Sequence, residues 1–175
     1  MSATPTAQPP PAEPPPAEPG PFPSPGHDHA HCVETAVARA EALCAGRGAR
    51  LTGLRRQVLE LVWQSHGPIG AYDLLERLRG LRTGAAPPTV YRALDFLIEQ
   101  GLVHRIARLN AFVGCDHPDA PHQGQFLICT ACGTAAELVE PEIARAIDRR
   151  AAALGFRVDT RTVEVTGLCP RCRAD

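Results

Sequence analysis

The sequence has no lysine; all 18 of its basic residues are arginine. Beside abundant alanine, proline and glycine, that bias reads as codon usage rather than as an arginine-specific function. No uninterrupted apolar run comes near the roughly 18 residues that a membrane span needs, which excludes an integral helical membrane protein. No charged stretch followed by an apolar one stands near the start, so no secretory signal is expected and the expected compartment is the cytoplasm. Excess charge of one sign is missing too, since 18 basic against 19 acidic residues give a formal net charge of −1. That argues against bulk electrostatic binding to nucleic acid or membrane and leaves room for a local patch.

What is present is unevenly placed. Eleven of the 18 prolines fall within the first 25 residues, in a stretch with one aromatic residue, Phe22. Such a segment cannot bury enough apolar surface to offset its ordering entropy, so residues 1–32 read as a disordered, partly polyproline tail. The tail ends in the His-rich patch His27-Asp28-His29-Ala30-His31-Cys32, whose metal binding the sequence leaves open. Beyond it, residues 33–109 carry 11 Arg against 7 acidic residues, whereas residues 110–175 carry 7 against 9. A basic first half points to an anionic partner for that half.

The first half has helical periodicity. Val33, Val37, Ala40, Leu43 and Cys44 make one stripe, with Cys44 read as core packing, and Gly46 and Gly48 end the helix. A second helix follows the N-cap residue Thr52, with Leu54, Val58, Leu61 and Val62 inward. A third runs from about Gly70 to Arg79 with Gly80 as its terminator. The fourth begins near Thr89, faces inward with Val90, Leu94, Leu97 and Ile98, and stops at Gly101. Residues 102–106 and 111–113 then read as a hairpin. Helices followed by a hairpin are the order of a winged helix-turn-helix, whose last helix enters the major groove. Thr89, Tyr91 and Arg92 in that helix's first turn are the candidate base and phosphate contacts.

The second half carries two C-x-x-C pairs, Cys129-Thr130-Ala131-Cys132 and Cys169-Pro170-Arg171-Cys172. A two-residue spacer lets both sulfurs of a pair face one centre, and two pairs supply the four thiolates of a structural zinc site. Two disulfides, a redox dithiol or core cysteines are the competing readings. A segment of some 60 residues seldom buries enough apolar surface alone, which adds weight to a metal. A helix after Pro141 and a strand from Phe156 to Val165 fill the gap. Between the halves stand further ligand-type residues: His104, Cys115, Asp116, His117, His122 and Glu137. Together they can form a second site of mixed nitrogen, sulfur and oxygen donors.

The run Pro87-Pro88-Thr89-Val90-Tyr91-Arg92-Ala93-Leu94-Asp95-Phe96-Leu97, then Gln100-Gly101-Leu102-Val103-His104 and the two C-x-x-C pairs resemble the ferric uptake regulator (Fur) family, and within it the zinc uptake regulator (Zur) branch. The resemblance extends from about Val33 to Cys172. It implies an α+β protein: a winged-helix DNA-binding domain over 33–110, a hinge over 111–124 and a small α/β dimerisation domain over 125–175. It further implies a homodimeric repressor that binds double-stranded operator DNA and two Zn²⁺ per chain, without enzymatic activity. Cys129, Cys132, Cys169 and Cys172 match the structural site; His104, Cys115, His122 and Glu137 match the regulatory one. Tyr72 and Arg92 match DNA-contacting positions. The family's Thr-Pro-Gln-Arg reads Thr52-Gly53-Leu54-Arg55 here, and the His-rich run of iron-sensing relatives is absent. Sister regulators sensing iron, manganese or peroxide share the architecture, and a zinc enzyme is the reading from another class. Against the enzyme stands the lack of an H-E-x-x-H or similar motif.

Overall fold

The computed structural model describes residue 22 and residues 29–65, 67–119 and 124–174. His27 and His122 therefore lie outside the described residues, as does most of the expected tail. Four helices come first: α1 (His29–Gly46), α2 (Gly53–Trp63), α3 (Ala71–Leu81) and α4 (Pro87–Glu99). A short strand β1 (Ile69–Gly70) precedes α3, and the hairpin β2 (Val103–Ile106) and β3 (Ala111–Gly114) follows α4. These strands form an antiparallel sheet in the order β1-β3-β2. The second sheet holds β4 (Gln125–Cys129), β5 (Ala135–Glu137) and β6 (Val163–Gly167) in the order β5-β4-β6. β4 runs antiparallel to β5 and parallel to β6. A parallel pair needs a long crossover, and α5 (Pro141–Ala153) lies within it. One further turn, α6 (Pro170–Arg173), closes the chain.

The helical stripes meet in one core. Val37, Ala40 and Cys44 of α1, Val58 and Val62 of α2, Leu74 and Leu78 of α3 and Leu94 and Leu97 of α4 are all buried there. Each fully buried Leu contributes about 1.5–3 kcal/mol from removal of its apolar surface from water. Arg55, the arginine kept at the second helix, stacks its guanidinium 3.5 Å from the Phe96 ring centroid and so ties α2 to α4. A smaller core joins the two sheets: Ile106 of the wing is fully buried with Phe126, Ile128 and Ala135, and Val113 packs against them.

Several local expectations need correction. α1 begins at His29 instead of Val33, because nothing between them breaks a helix. Gly80 does not end α3, which runs on through Leu81; the left-handed backbone is at Gly84, φ +82°. Ile98 is exposed, and Ala93 and Phe96 fill the inward face of α4 in its place. Thr52 occupies the N-cap position of α2 but makes no side-chain capping bond. The strand expected from Phe156 forms only over Val163–Gly167, where β4 offers a partner.

The second sheet leaves apolar surface uncovered. No residue of α5 is buried, and Val139, Leu154, Phe156, Val165 and Leu168 are exposed. At the junction of the domains, Gly114 lies so close to Trp63 that a Cβ there would run into the indole ring. We expect Gly114→Ala to destabilise the fold by about 1–3 kcal/mol, the usual cost of overpacking. Urea titration of both proteins, with Trp63→Leu added to restore space, checks this; equal midpoints for wild type and Gly114→Ala would refute it.

Candidate metal centres and nucleic-acid face

Two groups of ligand-type side chains converge among the described residues. In the first, the donor atoms of Cys129, Cys132, Cys169 and Cys172 all lie within 4.8 Å of one another. Cys129 ends β4, Cys132 closes the turn to β5, Cys169 follows β6, and Cys172 sits on α6. Parallel pairing of β4 with β6 aligns Cys129 with Gly167, so the register itself brings the two pairs to one end of the sheet. The Cys169 N–H donates to Cys129 Sγ at 3.3 Å and the Cys172 N–H to Cys169 Sγ at 3.5 Å. Backbone N–H groups, that of Cys169 foremost, hold the Cys129 thiol below the ordinary range. Thr134, by its hydroxyl 3.3 Å away and then its N–H, draws Cys132 down to about 5. Cys172 is pushed up to about 12, first by its contact with Cys169. Four crowded sulfurs cannot all ionise unaided; a dication removes that conflict, and the donor set fits tetrahedral Zn²⁺.

In the second group, His104, Cys115 and Glu137 place their donor atoms within 4.8 Å of one another. They come from three strands' worth of chain: His104 from β2, Cys115 from just after β3, and Glu137 from the end of β5. His104 Nε2 is 2.9 Å from Glu137 Oε1, and the Glu137 side chain is only 3% exposed. The Asp116 N–H donates to the other oxygen of Glu137 at 3.2 Å. The Phe126 ring meets His104 edge-on at 5.4 Å and fixes its plane. Burial, then the charge of Glu137, pushes the Cys115 thiol up to about 12. Arg39 of α1 and Arg47, just beyond its end, hold the chain that leaves Cys115. Arg39 donates to Asp116 O at 3.0 Å and pairs with Asp119 at 3.1 Å, and Arg47 donates to Pro118 O at 3.3 Å. A thiol, an imidazole and a carboxylate at this spacing fit a divalent ion of zinc type.

The other described ligand-type residues join neither group. His31 and Cys32 line a cavity of about 240 Å³ that also touches Trp63, Cys115 and Asp116, but neither belongs to a ligand group. The backbone of His117 lowers the Cys115 thiol, against the larger upward effects, while its residue is exposed and its ring joins no group. Cys44 is buried in the helical core, and burial raises its thiol.

In the helical domain, Tyr72 of α3 is 70% exposed and Tyr91 and Arg92 of α4 are exposed. Thr89, expected in the same face, is half-buried two residues inside a helix that starts at Pro87. Pro87 and Pro88 supply no N–H and a preset φ, which stiffens this N-terminus.

A sequence model of the Ferric uptake regulator family matches residues 46–166. The chain is 43% identical over 141 residues to the zinc uptake regulation protein of Escherichia coli K12, covering 80% of this chain and 82% of that protein. It is 29% identical over 130 residues to the peroxide operon regulator of Bacillus subtilis, covering 71% and 85%. Among solved structures, a zinc uptake regulator complexed with zinc and DNA matches with a TM-score of 0.78 at 41% identity, over 81% of this chain and 95% of that one. The holo form of XcZur matches with a TM-score of 0.76 at 45% identity, over 81% and 99%.

The thiol environments predict an order of reactivity. In the reduced chain after chelation, with circular dichroism showing that it stays folded, iodoacetamide at pH 7.5 should label exposed Cys132 well before buried Cys115. Peptide mass mapping of a time course reads this, and equal rates at the two would contradict the assigned environments.

Proposed function

The chain belongs to the ferric uptake regulator family, and we propose that it is a zinc-responsive homodimeric repressor that binds operator DNA and turns down zinc-uptake genes when zinc is plentiful. The observation that carries this reading is the convergence of His104 from the wing with Cys115 and Glu137 at the boundary of the two sheets. In this reading Cys129, Cys132, Cys169 and Cys172 would hold a structural zinc. His104, Cys115 and Glu137, with His122 as fourth ligand, would hold a regulatory one, giving two per chain. Zinc, when bound, supplies a divalent charge that stabilises thiolate and carboxylate side by side in a four-coordinate shell.

The chain's own residues do the rest. His104 and Glu137 link the wing to the second sheet, and Ile106 packs with Phe126 and Ile128 of the inner strand β4. With both links made, the helical domain has a fixed orientation on the second domain. The exposed apolar residues Val139, Leu154, Phe156, Val165 and Leu168 then offer the surface for a second copy. In such a dimer, α4 of each protomer would present Tyr91 and Arg92 to the major groove, with Thr89 at the same helix start and Tyr72 beside them on α3. Two recognition helices bind one site only when their spacing matches the helical repeat. Domain orientation therefore controls affinity without any change in the contacting residues. The reading needs no catalytic step, and a gene regulator works in the cytoplasm, where the chromosome is. None of the described helices is long and apolar enough to cross a membrane.

Metal content per chain before and after chelation, paired with DNA binding at buffered free zinc, tests the proposal. Activation by Fe²⁺ or Mn²⁺ but not Zn²⁺ would overturn the zinc assignment. His104→Ala should leave the dimer folded yet abolish zinc-dependent DNA binding in a gel-shift titration; retained zinc dependence would refute its role. Cys132→Ser should lower the melting temperature and the dimer fraction in light scattering. An unchanged melting curve with one fewer zinc per chain would refute the structural assignment.

A further inference from the structure

Phe126, in the middle strand of the second sheet, pairs with Glu137 on one side and Glu164 on the other. Directly paired residues send their side chains to the same face of a sheet, so these three form one row across it. The whole row meets strand β2 and the turn beyond it. Glu137 and Phe126 both engage His104 at the strand's start. Glu164 engages its end: Oε1 accepts from the Ala107 N–H at 2.6 Å, and Oε2 from the Arg108 N–H at 3.0 Å. Between them Ile106 is fully buried against Phe126.

We propose that Glu164 is a positioning residue for DNA recognition, a second and metal-independent anchor that fixes the wing's far end to the dimerisation sheet. The inference rests on the function proposed above. The contacts at His104 and the non-directional packing of Ile106 fix where the wing meets the second sheet but hold its angle weakly. A directional attachment three residues beyond His104, about 10 Å away, tightens that angle. Its donors are backbone amides of a turn, so the anchor holds whatever side chains the turn carries. Its acceptor is a carboxylate using both oxygens, a charge-assisted arrangement stronger than a bond between neutral groups. Glu164 is half-buried at the junction rather than free in solvent. Glu164 therefore contributes the angle of the reading head, and the His104 end contributes its dependence on metal.

The test uses the full-length, zinc-loaded chain with Glu164→Ala and Glu164→Gln. The probe is a DNA duplex selected from a random pool by the wild-type protein in the presence of zinc. Zinc per chain should be unchanged in both variants. DNA affinity should fall at least about tenfold in Glu164→Ala, which loses both charge-assisted hydrogen bonds. Glu164→Gln should fall less, because its amide oxygen still accepts from one of the two N–H groups. Small-angle scattering of the zinc-loaded Ala variant should show a broader distance distribution than wild type, which mere loss of a turn cap would not produce. Wild-type DNA affinity in Glu164→Ala, an unchanged scattering profile, or loss of zinc from that variant would each overturn the anchor. If the wild-type chain selects no DNA with zinc, the proposed function fails instead, and the scattering comparison still decides the anchor.

Discussion

The rest of the molecule depends on the contact between His104 and Glu137, 2.9 Å apart with the carboxylate almost wholly buried. A buried carboxylate is costly unless its oxygens are met by donors or a cation. Here one oxygen faces an imidazole from the other sheet and the second takes the Asp116 N–H. Cys115 is kept neutral by burial and by the carboxylate's charge, so its sulfur becomes an ion-ready donor only when a positive charge enters. A dication entering among the three groups would find an imidazole nitrogen, a carboxylate and a thiol that its charge would help to ionise. The donor set and its spacing thus argue for a metal on their own.

The contact matters beyond its own atoms because it joins parts of the chain with little else in common. The helical core and the second sheet have separate hydrophobic clusters, and Ile106 and Val113 of the wing belong with the second. The hairpin is thus built with one domain and packed onto the other. A rigid hairpin seated in this way transmits orientation: a small change at its base moves α4 as a body, since Leu102 and Val103 continue from α4 into the same core. Packed cores shift between discrete arrangements rather than deforming smoothly, which is what a regulator that must be either on or off requires.

Legibility from sequence divides along the range of the interactions. Both C-x-x-C pairs were readable because two residues of spacing suffice to aim two sulfurs, and the four do converge. The four helices were readable from their stripes, but where they stop was not: α3 passes through Gly80 because its packing against the core outweighs a glycine's modest cost. β1 and β5, two and three residues long, have no period to detect and exist through pairing with β3 and β4. The ligand character of His104, Cys115 and Glu137 could be read from residue type and family resemblance, yet their meeting point depends on sheet register. Glu164 was missed because a glutamate on a short strand carries no local mark. Only its alignment with Phe126 reveals it.

Topology also separates the proposed duties of the two centres. All four cysteines belong to one sheet and its end turns, elements already joined by backbone hydrogen bonds between β4, β5 and β6. An ion there would reinforce a unit that exists without it, and its loss would register mainly as stability. The other donors come from two different sheets, whose relative placement rests on a small apolar seam and a few polar contacts. An ion there would alter an equilibrium between orientations, and the same binding free energy would register as a change in DNA affinity. By linkage, DNA that favours the docked orientation must tighten that ion in equal measure, while the four-cysteine ion would be nearly indifferent to DNA. The distinction between a structural and a regulatory metal then follows from which strands supply the ligands, before any difference in ligand chemistry is considered.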